Sequence, residues 1–315
     1  MVSLGAGAVA AATDFPAPPR RVRTVTFSER LAGWTLAGPA IIAMWLLLLG
    51  PAFAVIALSL TDWTFGAPTI AFVGLANYAE MAGDAAFWMS LYNTLAYVAF
   101  VVPLSVLLGL GAALLIEAGT SLRGFYRAVF FLPVTSTLLA MALVFQFAFH
   151  PTVGVVNQVL SAIGLPTADW LKDPNTALYA LGVIGIWQNL GLNMVLFLAG
   201  LKSVPRDLYE AAAVDGADGA WERFRRVTWP MLGPAFVFVV TISAIRSFQI
   251  FDTVAVLTDG GPNKSTSVLL YQMYQEGFSF LRSAYAAAIT CVFLAFVLAV
   301  TLLQEKVLER RAHYG

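Results

Sequence analysis

The sequence predicts an all-α integral membrane protein of six transmembrane helices, and three observations carry that expectation. First, 59% of the 315 residues are hydrophobic and 11% are charged, where a soluble domain carries about 25% charged residues. Second, six apolar runs reach the roughly 20 residues that a helix needs to cross about 30 Å of hydrocarbon. Third, Lys and Arg fall mostly in alternate loops between those runs, the bias that sets membrane orientation.

The runs cover residues 36–60, 91–116, 128–148, 177–201, 231–257 and 284–303, and only the fifth contains charged residues, Arg246 and Asp252. Fourteen of the 18 Lys and Arg residues fall on one side. They are Arg20, Arg21, Arg23 and Arg30 before the first run, and Arg123 and Arg127 after the second. Lys202, Arg206, Arg223, Arg225 and Arg226 follow the fourth, and Lys306, Arg310 and Arg311 follow the sixth. The other side has Lys172, Lys264 and Arg282. Both termini are therefore expected in the cytoplasm. Residues 1–30, rich in Ala, Gly and Pro, read as a disordered cytoplasmic tail, residues 31–305 as the membrane domain, and residues 306–315 as a second tail. The apolar stretch of the first tail precedes its arginines, the reverse of a signal peptide.

Several function classes lose support. A formal net charge of zero gives no reason to expect a nucleic-acid partner. The single Cys291 and the well separated His150 and His313 give no metal-ligand spacing. No G-x-x-x-x-G-K-[ST] loop occurs, since "DGGPNKST" has Lys264 and Ser265 without the glycine spacing. The chain is thus expected to bind no cofactor and to hydrolyse no ATP itself. An intramembrane enzyme lacks an H-E-x-x-H or G-x-S-x-G motif. An ion-coupled secondary transporter is the alternative from another class, with Asp252 the one intramembrane carboxylate to serve it.

Between the fourth and fifth runs, residues 203–230 are amphipathic, with "LYEAAAVDGADGAWERFRRVTWP" at residues 208–230. Pro205 suits the start of a short helix. Leu208, Ala211 and Ala212 share one face, and Asp215-Gly216 marks a turn. A second short helix puts Trp221, Phe224 and Val227 on one side beside Arg223, Arg225 and Arg226. Such a stretch fits an interfacial helix on anionic lipid or a docking element whose small Ala residues admit another backbone.

This stretch resembles the EAA loop of ABC importer permeases. Other segments resemble the sugar-importer members of that family: "FVGLANY" at residues 72–78, "FFLPVTSTLLAMALVFQFAFHPTVGVVNQVL" at 130–160 and "FDTVAVLTDGGPNKST" at 251–266. The resemblance covers nearly all the chain after Arg30. It implies a type I ABC importer transmembrane domain in a bacterial or archaeal cytoplasmic membrane, with Glu210, Ala211, Ala212, Asp215, Gly216 and Pro230 in the family's ATPase-coupling roles. It also implies a second, different six-span permease subunit, two copies of an ATPase that uses ATP and Mg, and an extracytoplasmic solute-binding protein. The implied solute is a di- or oligosaccharide, with glycerol-3-phosphate or its diesters as the alternative. Ten residues separate Gly216 from Val227, one more than the family spacing, and Trp229 stands where a Leu is typical.

Polar residues inside spans are costly and mark functional candidates. Gln188, Asn189 and Asn193 fall in the fourth run, and Arg246, Gln249 and Asp252 in the fifth. On an unbroken helix the last three lie within an arc of about 120°. They suit either a sugar path or bonds between helices. Gly109, Gly111 and Gly119 are expected where helices approach closely.

Overall fold

The structure, a computed structural model, describes residues 27–119 and 121–309. Residues 1–26, Arg310, Arg311 and His313, and hence most of both expected tails, lie outside the described residues. The first helix begins at Phe27 and the last continues to Glu309, so both helices run across the expected tail boundaries. Among the described residues the fold is helical, with one isolated bridge between Thr61 and Phe72.

The chain divides into two compact units, the first ending at Ala52 and the second beginning at Phe53. In the first, α1 (Phe27–Met44) runs into a π-turn at Trp45–Leu49, closed by the Gly50 amide on the Trp45 carbonyl. A helical α2 (Gly50–Leu58) follows at once, its residues 53–58 belonging to the second unit. Pro51 lacks an amide and its ring crowds the preceding turn, so a widened turn ahead of it is the expected local response.

The second unit contains α3 (Ala76–Gly83), α4 (Ala85–Ala118), α5 (Arg123–Thr135), α6 (Leu138–Ala148), α7 (Val155–Ala162) and α8 (Ala177–Lys202). There follow α9 (Arg206–Val214), α10 (Ala220–Arg223), α11 (Trp229–Met231), α12 (Gly233–Phe248), α13 (Asp252–Leu257), α14 (Leu269–Tyr274) and α15 (Ser283–Glu309). Among the described residues, five stretches are long and apolar enough to span, and the bent α5–α6 pair, taken as one span, makes six.

Two of the six spans are not the continuous helices expected. The third, expected unbroken over residues 128–148, is two helices meeting at 102°. Pro133 near the end of α5 removes an amide, and Ser136 and Thr137 are extended with ψ of 141° and 136°. The fifth, expected unbroken over 231–257, unwinds between α12 and α13 at residues 249–251.

At the centre α4 packs on α8, and α12 crosses both. Lipid offers helices no hydrophobic drive to associate, so small residues and polar links decide the contacts. A Cβ on Gly109 would lie 2.6 Å from the Asn193 Cβ, and one on Gly200 would lie 2.7 Å from the Ala235 Cβ. Gly191 faces the Phe130 carbonyl of α5 just as tightly. Gly111, expected at a close approach, has open space beside it. Around these crossings Val101, Met194, Phe197, Leu232, Val239 and Ile289 are fully buried.

Opposite the α9–α11 end, polar side chains fix the loops. Asn93 donates to the Lys264 and Ser267 carbonyls at 2.9 Å, and Thr94 Oγ1 accepts from the Leu269 amide at 2.9 Å. Arg282 bonds Glu80 of α3 and, at 3.2 Å, Glu276, and it stacks over Tyr285 at 4.2 Å. Burial pushes the Glu276 carboxyl above its ordinary range, opposed by the Arg282 charge. Arg282→Ala is predicted to destabilise the protein by about 1–2 kcal/mol, between the values for exposed and buried pairs. The deficit should shrink on acidification: a raised pKa in the folded state costs stability as pH rises through it, and removing Arg282 deepens that cost only while Glu276 is ionised. Thermal unfolding of detergent-solubilised protein at neutral and acidic pH checks this, and a pH-independent deficit would contradict it.

Candidate functional site

Two places gather the sequence candidates. The first is the hairpin after α8. Pro205 sits one position outside α9 as its cap, with φ −60° and ψ 136°. At the other end, the Gly216 amide donates to the Ala213 carbonyl at 3.1 Å and the Ala217 amide to the Ala212 carbonyl at 2.9 Å. This paired closure is a Schellman turn, which needs a left-handed residue, and Gly216 supplies it with φ +81°. Ala217 is wholly buried beneath the turn.

The return strand of the hairpin is α10, then a π-turn at Phe224–Thr228, then α11. The Trp229 amide bonds the Phe224 carbonyl, one residue further back than an α-helix allows. This π-turn widens the backbone by one residue at Val227 and its neighbours. Val227 is buried and Trp221 stacks on Phe224 at 5.5 Å. Trp229 bridges Phe224 at 6.0 Å to Phe236 of α12 at 5.2 Å. Tyr209 OH and Thr228 Oγ1 lie 3.0 Å apart, and Arg223 Nε donates to the Ala217 carbonyl at 3.0 Å. These contacts tie the two arms to each other and to α12. Glu210, Ala211, Asp215, Gly216 and Pro230 are exposed on it, Ala212 is half-buried, and Val214 is 88% exposed.

The second place is a cavity of about 310 Å³ within the membrane-spanning part. Gln188 and Asn189 of α8, Arg246 of α12, Gln249 of the unwound segment and Asp252 of α13 line it. They meet because the helix breaks at residue 249, not because they share an unbroken helical arc. Ser136, from the break in the third span, lines it too. Irregular backbone at membrane depth is tolerated where it borders protein or a cavity, and both broken spans open onto this one.

The polar groups here are largely unspent. Arg246, Gln188, Gln249 and Asp252 have no side-chain hydrogen bond or ion pair among the described residues. Ser247, 2% exposed, has a hydroxyl without a partner, and such a group costs about 1–3 kcal/mol when buried unsatisfied. Asn189 donates to the Gly185 carbonyl at 2.9 Å. Asn193 lies elsewhere: its Oδ1 accepts from Ser243 at 2.9 Å and its Nδ2 donates to Ser105 at 3.4 Å, which joins α4, α8 and α12. Sequence reasoning missed Tyr97, Ser136, Ser247 and Phe251, which also line the cavity. The run Pro133-Val134-Thr135-Ser136-Thr137 was the available signal for Ser136, since proline followed by β-branched and hydroxyl residues opposes helix continuation.

A polar chamber between unwound spans, joined by one helix to an amphipathic helical hairpin, fits a subunit of a membrane transport system. Residues 102–313 match the family described as binding-protein-dependent transport system inner membrane component, and the chain belongs to that family. It is 34% identical over 298 residues to the sulfoquinovosyl glycerol transport system permease protein SmoG of Agrobacterium fabrum, covering 93% of this chain and 95% of that protein. It is 34% identical over 278 residues to the lactose transport system permease protein LacF of Rhizobium radiobacter, covering 86% and 92%. The crystal structure of a bacterial alginate ABC transporter with a pentasaccharide-bound periplasmic protein contains a chain of the same fold. Its TM-score is 0.78 at 22% identity, over 91% of this chain and 97% of that one. The protein is a permease subunit of an ATP-driven, binding-protein-dependent importer of the inner membrane.

Proposed function

We propose that the subunit passes a di- or oligosaccharide through the cavity bordered by Gln188, Asn189, Arg246, Ser247, Gln249 and Asp252. The observation that carries this reading is the set of unpartnered donors and acceptors around about 310 Å³. Sugar hydroxyls donate and accept at once, so amides, a carboxylate and a guanidinium together can satisfy them. The names of the sulfoquinovosyl glycerol and lactose relatives support the same class.

In this reading the hairpin and both termini are cytoplasmic, as the excess of Lys and Arg favours. Glu210, Ala211, Ala212, Asp215, Gly216 and Pro230 belong to the element that docks on one of two ATPase copies, where ATP and Mg are bound. A second, different permease subunit completes the pore, and an external binding protein delivers the solute. This chain contributes no ATP site. Closure of the ATPase pair moves the hairpin as a rigid body. The Trp229–Phe236 contact passes that motion to α12, whose far end is the unwound segment bearing Gln249.

The test uses membrane vesicles that carry the complete transporter, its binding protein and a panel of labelled disaccharides. Asp252→Asn and Arg246→Gln should each reduce uptake about tenfold, as for loss of a hydrogen bond to a charged group. Nucleotide hydrolysis stimulated by the binding protein should persist. Undiminished uptake in both variants would remove the cavity from the path.

A further inference from the structure

We propose that the groove between α4 and α5 holds one acyl chain of an anionic phospholipid, with the headgroup at Arg123 and Arg127. The groove encloses about 570 Å³ and is lined by Leu107, Leu108, Gly111 and Leu115 of α4 and by Tyr126 and Phe130 of α5. Leu107, Leu108 and Leu115 are exposed in the chain. The lining runs along α4 from residue 107 to the turn at residue 119. At 1.5 Å per residue this is about 18 Å, close to the roughly 15 Å depth of one leaflet's hydrocarbon. Gly111 leaves the floor open, with nothing within 4 Å of where its Cβ would stand.

The mouth of the groove is charged in the complementary sense. Arg123 lines it, donating to the Gly119 and Glu117 carbonyls. Glu117 is the carboxylate for both arginines, 3.8 Å from Arg123 Nη1 and 3.8 Å from Arg127 Nη2. Two guanidinium groups on one carboxylate leave one positive charge unmatched. Arg127 Nε and Glu117 Oε2 are buried, so what the collar offers an anion is the unmatched charge on the Arg123 and Arg127 side chains, which are 40% and 34% exposed. An apolar slot one leaflet deep under a net positive rim fits an amphiphile with a charged head. It fits a purely apolar helix less well, because such a helix leaves the rim unpaired.

The test is native mass spectrometry of the full chain released from detergent, titrated with palmitoyl-oleoyl phosphatidylglycerol or with the phosphatidylcholine of the same chains. The wild-type protein should retain one phosphatidylglycerol at roughly fivefold lower concentration than phosphatidylcholine, as for one basic group at an anionic surface. Arg127→Gln, which leaves the Arg123 bonds in place, should abolish that preference while phosphatidylcholine binding stays. Gly111→Leu, which meets no neighbour at its Cβ, should lose retention of both lipids. Equal lipid retention by wild-type and Gly111→Leu protein overturns the proposal. So does a benzoylphenylalanine at position 115 that cross-links, in membranes with the complete transporter, to a polypeptide such as the second permease subunit instead of to lipid.

Discussion

Gly216→Pro is expected to abolish ATP-driven uptake while the chain still inserts into the membrane. Gly216 has φ +81°, which proline cannot adopt, and its amide donates to the Ala213 carbonyl at 3.1 Å. Loss of both costs about 3 kcal/mol or more, about a hundredfold in the population of the closed turn. Ala217 then loses its buried place beneath α9, and Arg223 its acceptor on the Ala217 carbonyl. The spans themselves do not pass through this turn, so insertion and expression should remain. Glu210→Lys separates shape from contact: Glu210 is exposed on α9, and reversing its charge leaves the hairpin's internal bonds untouched. Uptake should fall in this variant too, with ATPase activity no longer responding to the binding protein. Wild-type uptake and wild-type stimulation in both variants would falsify the docking role.

The second large effect is structural. Gly109→Ala should destabilise the chain by about 1–3 kcal/mol, the usual cost of overpacking. The new Cβ would stand 2.6 Å from the Asn193 Cβ and 3.1 Å from the Met194 amide nitrogen. Backbone cannot yield as a side-chain tip can, so α4 and α8 must separate. That separation strains the Ser105–Asn193–Ser243 link, whose members are at most 1% exposed. Gly111→Ala, two residues along the same helix, meets nothing within 4 Å and should cost no stability. Thermal unfolding of the two variants in the same detergent decides the matter, and equal midpoints would refute the account.

Much of the hairpin was legible because its signals are local. A proline before an alanine helix, and an acidic residue and a glycine directly after it, specify the helix start and the turn through backbone geometry alone. The π-turn at Phe224–Thr228 was not legible in the sequence, because it depends on how the second arm packs and not on a local signal. The cavity was less legible. Gln188, Asn189, Arg246, Gln249 and Asp252 are conspicuous as polar residues in apolar runs, but Asn193 is equally conspicuous and serves to join three helices. Hydropathy reports what a side chain costs in lipid, and it does not report which neighbour satisfies it.

From the sequence alone came the apolar runs, the side on which positive charge gathers and the amphipathic hairpin, because each depends on solvent preference or on residues a few positions apart. The tertiary structure alone decided where the third and fifth spans break, and that both breaks face one cavity. It also separated Gly109, which carries a helix crossing, from Gly111, which leaves a groove. The physical reason is that a broken span must be repaid by neighbours distant in sequence, and a glycine acquires meaning only from what stands across from it.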